Sequence, residues 1–403
     1  MRLALICDFV EENWPSMDLV ADMLLDNLRA ECGSAVKATR VRPAMVRRLS
    51  RLPRFGRKRG AYSADRLLNR FWDYPRHLAR RKREFDLYHI VDHSYGHLVH
   101  QLPAERTIIT CHDIDTFRCL LEPDREPRSR MFRMMTARIL DGFRRAARVS
   151  CVSAATRNEI LAHRLLAPER AVVIPQGVHP ACVPEPDPHS DAEAARLLGP
   201  ANAAAADILY VGSSVARKRI DVLLRVIAAV RQVFPKARLI RVGGPFSRPQ
   251  QELAERLNLN KSLVTLPFLN RRLLASVYRR ASLLMQPSER EGFGLPVIEA
   301  MACGTPVVAS DLPALREAGG PWAAYCPIAD VPAWTDTVVA LLRERRGRPE
   351  WWNERRRAAI AWAAQFSWRE HTRKTVQLYQ ELLHEELVDN AANRMEPLVQ
   401  RMQ

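Results

Sequence analysis

SLLMQPSEREGFGLPVIEAMACGTPVVAS, residues 282–310, decides the fold. It opens with a short, mostly apolar run that ends at Pro287 and closes with another, TPVVAS. Between them lie a polar loop with two glycines and a helical pattern. Pro296 suits the first turn of that helix, where its missing N–H leaves no bond unmade. Strand, loop, helix and strand in this order predict a βαβ unit of a buried parallel sheet. Such sheets take ligands in the crevice beyond the carboxyl ends of their strands. The loop around Gly292 and Gly294 and the free N–H groups of the helix start would face an anion there. Glu291 lies in the loop and Glu299 about one turn into the helix. Both are expected to point into one crevice, where sugar or ribose hydroxyls would meet paired carboxylates.

The same rhythm extends in both directions. DILYVG (207–212), ARLIRVGG (237–244) and SLVTLP (262–267) are predicted strands of the second half. The first half offers RLALIC (2–7), LYHIV (87–91), TIITC (107–111), RVSCVS (148–153) and VVIPQGV (172–178), with helical patterns over 18–30 and 129–147. Ser153 is a predicted helix N-cap. Pro175, Pro180, Pro184, Pro186 and Pro188 suggest a linker between the halves, and NAAAAD (202–207) a surface loop. The expected organisation is α/β, with two Rossmann-like domains at 1–178 and 207–366. A linker at 179–206 joins them. A final segment, 367–403, carries a helix near 367–388 that crosses back to the first domain.

At 403 residues, 47% hydrophobic and 27% charged, the chain has material for two cores and is not disordered throughout. Its eight cysteines form no C-x-x-C pair and several sit in apolar runs, which predicts a reducing compartment. MRLALICD is too short an apolar run for a signal peptide, and nothing approaches a membrane span, so a cytoplasmic location is expected. The net charge of +17 is concentrated. Residues 40–83 hold 14 Arg and 2 Lys against Asp65 and Asp73, an excess of +14. Met45, Leu49 and Leu52 have helical spacing there, and Leu67, Leu68, Phe71, Trp72 and Leu78 interleave with Arg66, Arg70 and Arg76. Such a basic insert fits either the anionic inner face of a membrane or a helix packed on one side and solvated on the other. No nucleic-acid-binding module is recognisable.

The segment EGFGLPVIE, with PS before it and AMACGTPVVAS after it, resembles the E-x7-E signature of the retaining GT-B glycosyltransferases called group one or family four. The resemblance extends to VGSSVARKRIDVLL, LIRVGG, LLASVYRRASLLMQPS and FSWREHTRKTVQLY. It covers the second half densely and the first half thinly. It implies a GT-B fold whose two domains face each other across a cleft. It also implies transfer of a sugar from a nucleotide diphosphate sugar to an alcohol, with retention, and with neither metal nor cofactor beyond the nucleotide sugar. A sugar or lipid-linked acceptor is expected.

Carried over by position, Glu299 would hold the ribose hydroxyls and Glu291 would lie near the donor sugar. Arg217 and Lys218 would neutralise the diphosphate. Their chemistry agrees, because fixed cations lower the barrier for a leaving group that gains charge. Gly212, Ser213, Gly244, Gly292, Phe293, Gly294 and Leu295 complete the expected donor site. The family often has an arginine directly after the glycine of VG. Ser213 stands there, and Arg217 is expected to supply that charge. In IITCHD, His112 matches the histidine that reaches the donor sugar, with Asp113 beside it. The first loop, DFVEENWPSMDLV, lacks the usual glycine pair and has Pro15, Ser16 and Met17 in that region. Glu11, Glu12, Asp92, His93 and Asp113 are expected on the acceptor side.

Other assignments compete. Glu299 alone fits a solvated helix face, and Arg217–Lys218 an ordinary exposed basic pair. Asp113-Ile114-Asp115 is a DxD triplet, the kind that binds a metal–diphosphate in the other major glycosyltransferase fold. Such triplets are common by chance, and the resemblance is to a fold that needs no metal. His89, His93, His97 and His100 are clustered without cysteine or a standard ligand spacing. The rival activities are a nucleotide-sugar epimerase or phosphorylase. The rival of another class is a non-catalytic binding or assembly protein at the membrane.

Overall fold

Short strands, apolar and buried on both faces at the centre of each sheet, form two parallel six-stranded sheets in the computed structural model, which describes residues 1–12, 14–51, 59–199 and 206–400. The first sheet contains β1 (Arg2–Ile6), β2 (Lys37–Val41), β3 (Leu87–Ile90), β4 (Thr107–Cys111), β5 (Arg148–Cys151) and β6 (Ala171–Val173). The second contains β7 (Asp207–Val211), β8 (Arg238–Val242), β9 (Leu263–Leu266), β10 (Leu283–Gln286), β11 (Val307–Ser310) and β12 (Ala324–Cys326). Each belongs to its own compact unit. Met1–Pro175 with Trp368–Gln403 forms one, and Gln176–Ser367 the other. β2 and β12 escape the sequence reading. β2 is a largely exposed edge strand, KATRV, and β12 has three residues.

Strand order locates the functional crevices. The sheets run β2-β1-β3-β4-β5-β6 and β12-β11-β10-β7-β8-β9. Strand order therefore reverses between β1 and β3 in one sheet and between β7 and β10 in the other. At such a point the two following loops diverge and leave room for a ligand.

Helix starts follow local chemistry. Ser153 Oγ accepts from Thr156 N at 2.9 Å, and Asn270 Oδ1 from Leu273 N at 3.0 Å. The stretch expected as a linker is partly helix. Asp187 caps Pro188–Leu198, whose first residue uses the fixed φ of proline. The last helix, Trp368–Gln400, belongs to the first unit. Its Leu378, Tyr379 and Leu382 are buried with Leu3, Leu24 and Leu87. Cutting one such leucine to alanine costs about 2–5 kcal/mol.

The basic insert differs from the expected amphipathic helix. Residues 42–48 are not helical, because Asn69 and Asp65 capture their backbone. Asn69 Oδ1 accepts from Val46 N at 2.7 Å, and Asp65 accepts from the amides of Arg48, Leu49 and Ser50. Met45 is in the core, as are Tyr74 and Leu78 of the helix Tyr74–Arg81. Leu52 lies outside the described residues. Much of the charge is paired: Arg40 with Asp22, Arg42 with Asp18, Arg48 with Asp73, and Arg66 and Arg70 with Glu12. Leu68 and Trp72 remain exposed, at 43% and 57%. Among the described residues no helix is long and apolar enough to cross a membrane.

Candidate active site

The loops after β7 and β10 meet at the reversal of the second sheet. Lys218 Nζ lies 2.5 Å from Glu291 Oε1, and Arg217 Nη1 lies 3.6 Å from Glu291 Oε2. The loops are also joined through backbone. Glu289 N donates to Arg217 O at 2.7 Å, and Arg217 Nη1 donates to Arg290 O at 3.0 Å. Ser288 Oγ and Gln286 Nε2 complete the shell of Glu291 Oε1 at 2.7 and 2.6 Å. Burial alone would raise the pKa of this carboxyl. Lys218 and Arg217 more than offset it and hold the group near about 2, so Glu291 is an anion at neutral pH. A preformed, nearly buried constellation of two cations on one carboxylate can receive a diphosphate with little reorganisation.

Glu299 occupies a separate set. It lies in the helix Leu295–Ala302, is 2% exposed, and accepts from Tyr278 Oη at 3.0 Å and from Arg271 Nη1 at 3.4 Å. Burial is the main influence and raises its pKa, against Arg271 and Tyr278. Lys218, Arg217, Ser288 and Gln286 gather on Glu291, whereas Tyr278 and Arg271 gather on Glu299. Glu299 is no solvated helix face.

Glycines let the strand ends crowd together. Gly243, at φ +126°, packs on Gly212, and a Cβ there would fall 2.3 Å from Gly212 O. Gly244 has φ +93°. Ser213 O accepts from Tyr210 Oη at 3.0 Å. Gly294, at φ +112°, precedes Leu295, the first residue of the Glu299 helix. Phe293 is buried with its ring edge-on to Phe366, and Gly292 lies beside Glu291 in the loop.

In the first unit, the reversal between β1 and β3 carries acids. Asp92 accepts from Ser94 N at 2.8 Å and from Ser94 Oγ at 2.6 Å. Burial would raise its pKa, but His93, His112 and Ser94 hold it near about 2. Asp8, which the sequence reading did not single out, is 3% exposed. Burial first and Asp92 second push its pKa well up. His93 bridges, with Nδ1 3.4 Å from Asp92 and Nε2 3.7 Å from Asp113. His112 is half-buried, its Nε2 donates to Val91 O at 2.7 Å, and desolvation lowers its pKa. Glu12 is enclosed by Arg66 and Arg70, while Glu11 offers its carbonyl to Tyr62 Oη at 3.0 Å.

Asp115 engages Arg118 at 3.1 Å. His89 lies between Tyr379 and Thr110, and His97 meets Arg70 O at 2.8 Å. The sequence reading missed Gln286, Arg271 and Tyr278. Arg271 and Tyr278 reach Glu299 from another helix, and Gln286 stands at the end of β10, just before the loop that carries Glu291.

Residues 200–358 match the model for glycosyl transferases group 1, and residues 30–181 the model for glycosyltransferase family 4. The O-antigen chain mannosyltransferase B of Escherichia coli is 30% identical over 314 residues, covering 76% of this chain and 77% of that enzyme. A D-inositol 3-phosphate glycosyltransferase of Mycolicibacterium smegmatis is 35% identical over 169 residues, 40% of this chain, and the match spans only 37% of that enzyme. Sucrose-phosphate synthase from Thermosynechococcus elongatus shares the fold, with a TM-score of 0.71 at 20% identity over 96% of this chain and all of that one. Two Rossmann-like sheets, an ion cluster at the switch point of the second, and matches along both halves make this chain a member of the group-one, family-four glycosyltransferases of GT-B fold.

Proposed function

We propose that the chain transfers a sugar from a nucleotide diphosphate sugar to a hydroxyl of a sugar or lipid-linked acceptor, with retention and without a metal. The observation that carries this is the pairing of Lys218 and Arg217 with an ionised Glu291 at the β7–β10 switch point. In this scheme the bound diphosphate draws on the two cations as its bond to the sugar breaks and charge builds on it. Glu291 holds them in place and, as an anion, accepts hydrogen bonds from sugar hydroxyls. Glu299, braced by Tyr278 and Arg271, accepts those of the ribose. His112, Asp92, His93, Asp113, Glu11 and Glu12 serve the donor sugar and the acceptor.

The relatives act on an O-antigen chain and on an inositol phosphate, as their names state. These support a place in surface polysaccharide or glycolipid synthesis, at the cytoplasmic face of the membrane. The test is product analysis with UDP-, GDP- and ADP-sugars and a panel of sugar and lipid-linked acceptors, with the anomeric configuration read by NMR. Transfer that persists in EDTA, with retained configuration, supports the scheme. Donor epimerisation, phosphorolysis, or no turnover with any pair overturns it.

A further inference from the structure

Arg241 is a charged side chain with no exposed surface, in the fourth position of β8. Arginine is rarely buried without an anion, because removing its charge from water is costly unless an opposite charge or full hydrogen bonding compensates. Among the described residues no carboxylate pairs with it. Its guanidinium donates instead to Gly244 O and to Ser214 Oγ and lies 4.5 Å from the centre of the Phe246 ring, while its Nε finds no partner. Ser214 Oγ passes a hydrogen bond on to Pro245 O at 2.9 Å, and Gln250 Nε2 donates to Ser214 O at 3.2 Å.

The position of this lone cation is specific. Arg241 is the register partner of Tyr210 on β7, and Tyr210 in turn donates to Ser213 O. The two side chains therefore brace the same turn, Gly212–Ser214, where it crosses the Gly243–Gly244 turn backbone to backbone. These turns close over the carboxyl ends of β7 and β8, next to the loop that presents Arg217 and Lys218. The side chain at 213, on the turn that Arg241 underlies, is an uncharged serine. Arg217 and Lys218 already lean on Glu291, so their charge is partly compensated before any ligand arrives. Arg241 is not.

We propose that Arg241 is a positioning residue for the diphosphate of the donor. From beneath, it ties the Ser214 and Gly244 turns together and supplies the positive charge that Ser213 lacks. Its missing counter-charge is the bound nucleoside diphosphate itself. The inference rests on the donor site proposed above.

Calorimetry with UDP, GDP and ADP, and ligand-observed NMR with uridine, guanosine and adenosine, test it. Arg241→Met should weaken the diphosphate that the wild type binds best by about tenfold or more, the scale of one charge-assisted contact. Binding of the matching nucleoside should change less than about twofold, and Arg241→Lys should recover most of the diphosphate affinity by keeping the charge. Adding Ser213→Arg to Arg241→Met should restore it too. An equal loss for diphosphate and nucleoside, or no loss at all, overturns the proposal and leaves a residue that only braces the fold. Should Arg241→Met fail to fold, Ser213→Arg alone decides: a gain under about threefold supports a charge already in place, and a gain of tenfold or more overturns it. A wild type that binds none of the three diphosphates removes the donor-site assignment and this inference together.

Discussion

Lys218 Nζ touches Glu291 Oε1 at 2.5 Å across 73 residues of sequence, and the contact joins the carboxyl ends of the two strands flanking the switch point. The pair is coupled, since each charge compensates the other in a nearly buried place. Lys218→Met is expected to cost about 2–4 kcal/mol of stability by leaving a buried carboxylate short of its main partner. Combined with Glu291→Gln, the loss should be less than the sum of the single losses. Denaturant unfolding of the four proteins measures it, and additive losses would deny the coupling. Turnover of Lys218→Met should fall by about 10²-fold.

The same pairing sets an acid limit. Glu291 is depressed from 4.5 to about 2, so its contribution is present above the unfolded value and lost as pH falls through about 2. The depression corresponds to about 3 kcal/mol. Wild type should therefore exceed Glu291→Gln in stability at pH 6, with the gap closing between pH 4.5 and 2. A gap that stays constant over that window would place the ionised form elsewhere.

Asp8 has the opposite sign. Its raised pKa means that its contribution is present below the ordinary value near 3.8 and lost as pH rises through the folded value. Asp8→Asn mimics the neutral acid, so its melting temperature should match wild type near pH 4 and equal or exceed it at pH 7.5. Asp92→Asn, which removes an anion held by His93 and Ser94, should instead lower the melting temperature at both pH values. The reverse ranking would reassign which acid carries the charge.

Tyr278→Phe removes one donor from Glu299 and leaves the ring. Nucleoside diphosphate affinity should drop by about three- to tenfold, the range of a single ordinary hydrogen bond. Glu299→Ala should lose more. Calorimetry settles it, and unchanged binding by Glu299→Ala would remove the ribose role.

Membrane binding now rests on fewer groups than the +14 segment suggested. Leu68 and Trp72 are exposed and Arg76 stacks on Trp72. Each cation near an anionic surface adds about 1 kcal/mol. Co-sedimentation with anionic vesicles should weaken in Trp72→Ser and at high salt, with transfer to a soluble acceptor intact. Equal binding to neutral vesicles, or none to anionic ones, ends the membrane proposal.

The runs LLMQ, VVAS and ILYV announced buried parallel strands because burial on both faces forces continuous apolar sequence, which is a local property. Gly294 and Pro296 likewise marked their turn and helix start through backbone rules that act over a few residues. The partners of the site residues were not legible in this way. Tyr278 reaches Glu299 over 21 residues, Arg241 reaches Ser214 over 27, and Asp8 meets Asp92 only because β1 and β3 are neighbours in the sheet. The basic insert shows the same division. Its composition was plain, yet Asp65, Asn69, Asp18 and Asp22 decided which residues fold inward, through bonds that exist only once the chain has closed. Sequence alone determined the strands, the turns and the residue types brought to the crevice. Tertiary structure decided their charge states, because burial and a partner's distance set a pKa and neither is written along the chain.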